Sequence, residues 1–507
     1  MFDPQTDRII PKLMATQHPD NASAPFWGSG AFISTSEEVE EIYESFFRLG
    51  CDEYMWDWEG KFTDEAMIER LLSGHIEDLR EKQLGRDRFV TLRIPNIWEE
   101  KSFKLARAYM SVLSACELTK SLELSTPPIF ELILPMTKSA DQLLHIQKTF
   151  KQTAKVHEEI FGTERFGSGY IHIVPLFESV EDLSGCSAVL EEFLKGHKEF
   201  FGFYPTYLRV FIARSDPAIN AGFPAAVLAC RLALRELGRL SEKYGLPIYP
   251  IVGTGSLPFR GGINPENIEK SLPQYQGVHT VTIQSAFRYD YPLEEVQEAC
   301  NKIKLALENV EAPRFSDTEF FELSEIIDVF ESFYRPTLES FAPFINEMAQ
   351  FVPARRERAL HVGLFGYSRG VGEIRLPRAI TFTAACYSMG IPPEFIGVGR
   401  ALRSLSESGR TDLVERHFFT LRHELSHAGK FLNLENLEFF ARTESWAKEI
   451  MEDVRISESI LGLSLAPQKD HHLLHRNLTS NIVVKQRLGD DFTDDLVEAA
   501  VMRKSLG

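Results

Sequence analysis

Cysteine is scarce. The 507 residues contain six, Cys51, Cys116, Cys186, Cys230, Cys300 and Cys386, with no C-x-x-C pair. That spacing argues against a disulfide framework or a cysteine zinc ribbon, and it leaves reduced core thiols and a cytoplasmic location as the expectation. Basic residues are outnumbered, 55 Lys and Arg against 73 Asp and Glu, for a net charge of -18. A chain so acidic repels phosphate backbones and anionic lipid heads, so neither nucleic acid nor a membrane surface is an expected partner. No apolar run approaches the length of a membrane span, and Met1 to Met14 carries Asp3, Asp7, Arg8 and Lys12 with no apolar segment, so no export signal is expected. Low-complexity and Pro- or Ser-rich linkers are also missing.

What is present is ordinary globular composition, 44% hydrophobic and 25% charged. Short β-rich runs recur about 40 residues apart, starting near Cys51, Phe89, Ile129, Tyr170, Leu208, Ile248 and Thr280, with an eighth near Leu360 after a longer gap. Between them lie segments of helical period. After Ser34 and Thr35, the residues Val39, Ile42, Phe46 and Leu49 share one helical face, Glu37 and Glu38 fit a capping box, and Gly50 fits a C-terminal cap. Ser139 to Phe161 and Pro217 to Tyr244 read the same way. Strands separated by helical crossovers run parallel, which predicts a closed (β/α)8 TIM-type barrel, with an open doubly wound sheet as the alternative. The domain expectation is a catalytic barrel over 1–377 with a helical insertion around 317–350, followed by a helical C-terminal region over 378–507.

Barrel active sites lie at the C-terminal strand ends. The residues there are Asp57, Glu59 and Lys61; Arg93 and Asn96; Thr137; Glu178; Arg214 and Asp216; Arg260; Gln284 and Arg288; Tyr367 and Arg369. Carboxylates suit Mg2+ or Mn2+ and guanidinium forks suit phosphate and carboxylate, so a small polyanion held with a metal is the implied substrate. Simpler roles compete. Asp216 before Pro217 fits a helix N-cap, Glu178 fits a loop carboxylate beside the Ser179-x-x-Asp182 box, and the glycines of GTGSLPFRGG fit a tight turn. His423, Glu424 and His427 spell H-E-x-x-H, the zinc-peptidase signature, with Glu444 as a conceivable third ligand. Lys430 stands where the longer metzincin form has glycine, so these histidines are expected as polar residues of a packed helix. His471, His472 and His475 are expected at the surface.

MATQHPDN (Met14 to Asn21), GCDEYMWDWEGK (Gly50 to Lys61), VPLFES with VEDL (Val174 to Leu183), ARSDPAINAG (Ala213 to Gly222), GSLPFRGG (Gly255 to Gly262) and GYSRG near LPRAI stand in an order that resembles the short, archaeal-type phosphoenolpyruvate carboxylases. The resemblance implies carboxylation of phosphoenolpyruvate by bicarbonate to oxaloacetate and phosphate, with Mg2+ (or Mn2+) as cofactor. It implies Glu178 and Asp216 as metal ligands, His18 as the essential histidine, Arg260 as the last arginine of the glycine-rich loop, Arg369 as a phosphate ligand and Arg93 as a further substrate contact. It also implies a homotetramer, with aspartate or malate as inhibitor. Val252 and Thr254 replace a His and an Arg of the longer enzymes, and Ile219 replaces a Lys, so Arg288 and Arg375 are the candidates for the missing contacts. The glycine-rich stretches Gly255 to Gly262 and Gly366 to Gly372 are candidate lids. The runner-up function is another metal-dependent aldolase or lyase barrel acting on phosphoenolpyruvate or pyruvate.

Overall fold

The computed structural model describes residues 8–99, 103–162, 169–308, 310–357, 370–371 and 374–507. Its centre is a closed barrel of eight parallel strands: β1 Leu13–Thr16, β2 Glu53–Asp57, β3 Phe89–Arg93, β4 Glu131–Leu134, β5 His172–Phe177, β6 Leu208–Ile212, β7 Ile248–Val252 and β8 Thr280–Ile283. Seven of the eight predicted runs are strands of this barrel. The first strand is a correction, because the ring closes through Leu13–Thr16, where Met14 pairs with Glu53 on one side and Thr282 on the other. The barrel is therefore complete at Ile283, and the run near Leu360 lies outside the described residues. Alternate strand positions, among them Met14, Met55, Ile133, Val174, Phe211 and Ile251, fill the barrel interior as a small apolar cluster of their own.

The helices follow the sequence punctuation. Ser34 opens a 3-10 turn, Thr35–Glu37, that runs into the helix Glu38–Phe47, with the Ser34 N–H donating to Glu37 Oε2 at 2.8 Å. Ser139 caps Ala140–Phe161, and Gly162 ends it in the left-handed region. The stretch expected as one helix from Pro217 to Tyr244 is two, Ser215–Ala221 and Phe223–Tyr244. They break at Gly222, whose φ is +94° and where a Cβ would meet the Tyr334 ring at 3.0 Å, so only glycine fits the bend. The segment expected as an insertion is a single helix, Asp317–Ala349, capped by a Ser316–Glu319 box, and it follows the last barrel strand instead of interrupting the barrel. After Arg378 the described chain is helical through Met502, and its apolar faces join the core that covers the outer face of the barrel. No described helix is long and apolar enough to cross a membrane.

Candidate active site

A cavity of about 550 Å3 opens at the C-terminal ends of the strands. It brings together five of the eight residues that motif order singles out: His18, Arg93, Glu178, Asp216 and Arg260. Each sits where the backbone leaves the barrel. His18 is two residues past β1, Arg93 ends β3, Glu178 follows β5, Asp216 is the second residue of the helix after β6, and Arg260 ends the 3-10 turn Pro258–Arg260 between β7 and β8. Arg288 and Arg375 are not among the described residues lining the cavity. Arg288 is fully buried and donates to Glu41 Oε1 at 2.9 Å, Ser45 Oγ at 3.0 Å and the Thr16 carbonyl at 2.7 Å. Arg375 is exposed. Arg369 and Tyr367 lie outside the described residues.

Among the lining residues that strand-end reading missed are Gln17, Arg355, Arg356 and Arg378. The three arginines come from the connection after the insertion helix and from the entry to the C-terminal helices, so no strand period points at them. The doubled arginine of PARRER is the one local signal. With them, six arginines face four carboxylates (Asp57, Glu59, Glu178 and Asp216) around the cavity, among the described residues. An acidic protein thus gathers arginines around one cavity, where a binder of small anions needs them.

Most of these arginines are fixed by ion pairs. Arg93 grips Asp57 at 2.8 and 2.5 Å and reaches Glu59 at 3.1 Å. Burial works against the Asp57 charge, yet Arg93 holds its carboxyl below the usual carboxylate range. Arg378 donates to the other Glu59 oxygen at 3.1 Å, and Arg356 pairs with Glu41. Arg260 donates to Asp20 Oδ2 at 3.0 Å, to the Gly507 carbonyl at 2.5 Å and to Gln284 Oε1. Gln17 Oε1 accepts from the Asp57 N–H at 2.9 Å and from Lys61 Nζ at 2.7 Å, which ties the strand carrying His18 to its neighbour.

His18 Nδ1 lies 2.8 Å from Thr16 Oγ1. Burial first, then the charges of Arg93, Arg260 and Arg378, hold its imidazole well below the ordinary histidine range, so it is neutral at physiological pH. Glu178 Oε2 accepts the Met136 N–H at 2.7 Å, which aims the carboxylate. Ser179 is the N-cap beside it, accepting from Asp182 N at 3.0 Å, as the capping box predicts. The N-cap reading of Asp216 is not realised, because Arg214 holds that position and Asp216 is inside the helix. Glu178 and Asp216 lie at the ends of hydrogen-bonded neighbours, β5 and β6, and line one cavity. Two hard carboxylates fit a cation such as Mg2+, which takes one or two protein ligands and completes its shell with water and substrate oxygens. Among the described residues no group of three or more His, Cys, Asp or Glu is placed to hold an ion, and the H-E-x-x-H residues form no zinc site.

Two further expectations are corrected. The loop Gly255 to Gly262 is packed, with every residue buried, so it is a floor rather than a lid. Of the histidine cluster only His471 is exposed; His472 and His475 are buried against Phe431.

An eight-stranded parallel barrel with a cationic cavity and two adjacent carboxylates at its C-terminal rim defines a TIM-barrel protein built to handle small anions. The phosphoenolpyruvate carboxylase family model matches residues 10–507, and the chain belongs to that family. It is 41% identical to the phosphoenolpyruvate carboxylase of Leuconostoc mesenteroides over 94% of this chain and 95% of that one. It is 39% identical to that of Oenococcus oeni over 99% of both chains, and 36% identical to that of the archaeon Metallosphaera sedula over 99% of this chain and all of that one.

Proposed function

We propose that the chain carboxylates phosphoenolpyruvate with bicarbonate, giving oxaloacetate and phosphate. The observation that carries this reading is the convergence of His18, Arg93, Glu178, Asp216 and Arg260 on one cavity, in a chain of the carboxylase family. Bringing two anions together is the electrostatic problem, and the surplus of arginine around the cavity answers it. Glu178 and Asp216 would hold the divalent cation, Mg2+ or Mn2+. When bound it would offset charge on the phosphate and on the enolate oxygen.

The chain's own residues do the rest. Arg93 and Arg260, locked by Asp57 and Asp20, orient the phosphate and carboxylate so that a bicarbonate oxygen attacks phosphorus, giving carboxyphosphate and the enolate. Arg355 and Arg378 stand at the same cavity as further anion contacts, in place of those missing at Val252 and Thr254. In the tautomer whose Nδ1–H donates to Thr16, His18 Nε2 is left to accept the carboxyphosphate proton as CO2 and phosphate form, and the enolate carbon then adds to CO2. A weakly basic imidazole suffices, because that proton is acidic.

Coupling oxaloacetate to malate dehydrogenase while following phosphate tests the reaction. Equal, bicarbonate- and metal-dependent yields are expected, and folded, metal-loaded protein that makes no oxaloacetate would sink the reading in favour of the aldolase or lyase alternative. The same reading takes a homotetramer and a cytoplasmic location from the family resemblance, and light scattering checks the first. It also divides the chain at 377/378, supported by the purely helical run after Arg378; limited proteolysis that never cuts near that point would count against the division.

A further inference from the structure

The loop that carries Arg260 is held by a buried acid, Glu394, that the reaction does not use. We propose that Glu394 is a positioning residue, which fixes the floor loop 257–262 and so the Arg260 guanidinium. The inference rests on Arg260 facing substrate, as proposed above. Glu394 Oε1 accepts the Phe259 N–H at 2.8 Å and the Tyr387 hydroxyl at 2.8 Å. Tyr275 donates to the Gly261 carbonyl at 2.8 Å and accepts from Arg214 Nε at 3.2 Å. Gly261, at φ +121°, lies so close to Thr254 that a Cβ would approach its side chain at 2.9 Å, which leaves the loop one conformation. The turn Pro393–Phe395 and the helix Leu421–Gly429 both pack on Pro258–Arg260, so the C-terminal helices supply the grip.

Glu424, the acid of the H-E-x-x-H sequence, accepts from Thr420 Oγ1 at 2.6 Å. Glu394 and Glu424 are almost fully buried, and each leaves one oxygen with no hydrogen-bond partner among the described residues. That pattern suits carboxyl groups that keep their proton. The charged and titratable groups facing them are Arg214 beside the helix after β6, Tyr275 below the loop, and Cys386 and Tyr387 from the helix Ala379–Ser388. Burial pushes Glu394 up to about 7 and Glu424 up to about 7, with Arg214 opposing in both and Glu394 adding to the rise in Glu424. The folded values stand above the unfolded value, so this contribution to stability is complete in acid and is lost as pH rises through about 7. Charging Glu394 then loosens the loop.

The test is hydrogen exchange of the 257–262 amides in the full chain without substrate, together with kcat between pH 6 and 8. Glu394→Ala is expected to lower protection of these amides and kcat about tenfold each. Glu394→Gln, which keeps an acceptor oxygen, restores most of both and flattens the fall in protection as pH rises toward about 7. Folded Glu394→Ala with unchanged protection and kcat overturns the proposal, and so does a Glu394→Gln profile that matches the parent. If Glu394→Ala does not fold, Tyr387→Phe removes one donor, and a severalfold loss of protection is expected; no loss overturns the proposal. Protection is read without turnover, so a parent chain that makes no oxaloacetate defeats the carboxylase reading and leaves this test intact.

Discussion

The two ends of the barrel carry buried charge in opposite ways. At the N-terminal end Arg209, with no exposed surface, donates to Glu53 at 2.7 Å through both terminal nitrogens and to Glu131 at 2.6 Å, while Arg8 pairs with Glu131 at 2.8 Å. Two arginines meet two glutamates, and Thr280 and Tyr207 take part in the same network. At the C-terminal end six arginines and four carboxylates line the cavity; Arg260 and Arg356 also pair with Asp20 and Glu41 behind it, while Arg214 and Arg355 donate only to neutral oxygens among the described residues. A balanced network is a structural fixture that asks for no ligand, whereas guanidinium groups beside a cavity with no carboxylate partner are completed by an anion. Conservation of charge type alone would not separate the two ends; the pairing does.

The contrast can be broken at either end. The largest effect is expected from Glu178→Gln or Asp216→Asn, which should lower turnover roughly a thousandfold by removing several kcal/mol of charge stabilisation while the melting temperature holds. Near-parental activity in either variant would remove that residue from the site. At the other end Arg209→Met leaves Glu53 and Glu131 facing each other, and unfolding free energy should fall by about 3–5 kcal/mol with kcat per folded molecule unchanged; denaturant titration checks this. Asp20→Asn takes the counter-charge from Arg260 and should cost about tenfold or more in kcat/KM, with little change in stability relative to Arg209→Met.

A smaller effect concerns pH. Burial holds His172 and His427 down to about 3, and His197, His417 and His472 down to about 4. The unfolded chain takes up protons on these rings below pH 6.5 and the folded chain does not, so stability falls as pH drops from about 6.5 toward 4. Melting temperatures at pH 7 and pH 5 should show it, since five rings outweigh the opposite contribution of Glu394 and Glu424 over the same range, and equal values would mean that they do not.

Much of this was legible in the residues. Seven strands, the insertion helix and the caps at Ser34, Ser139 and Ser179 followed from period and punctuation, and motif order pointed to His18, Arg93, Glu178, Asp216 and Arg260 before any geometry. β1 was not legible as a strand, because four residues, LMAT, are too few to show alternation. The break at Gly222 was hidden by a helical pattern that continues across it. Arg355, Arg356 and Arg378 reach the cavity through tertiary packing, which no local period encodes, and Arg288 was read as a rim residue although its guanidinium is held inside by Glu41.

The pairing of β1 with β8 has a consequence for how the chain comes together. Met14 must wait for Thr282, so the last ladder of the ring joins segments separated by nearly the whole barrel sequence. Until that contact forms, a growing sheet exposes the unpaired edge of β1 at one side and that of the latest strand at the other. High contact order of this kind makes closure slow, and open edges of a parallel sheet are where neighbouring chains add on. Crowded synthesis should therefore favour aggregation of the unclosed sheet, and closure of one short strand, the same one that delivers His18 to the rim, ends both the hazard and the wait for a working cavity.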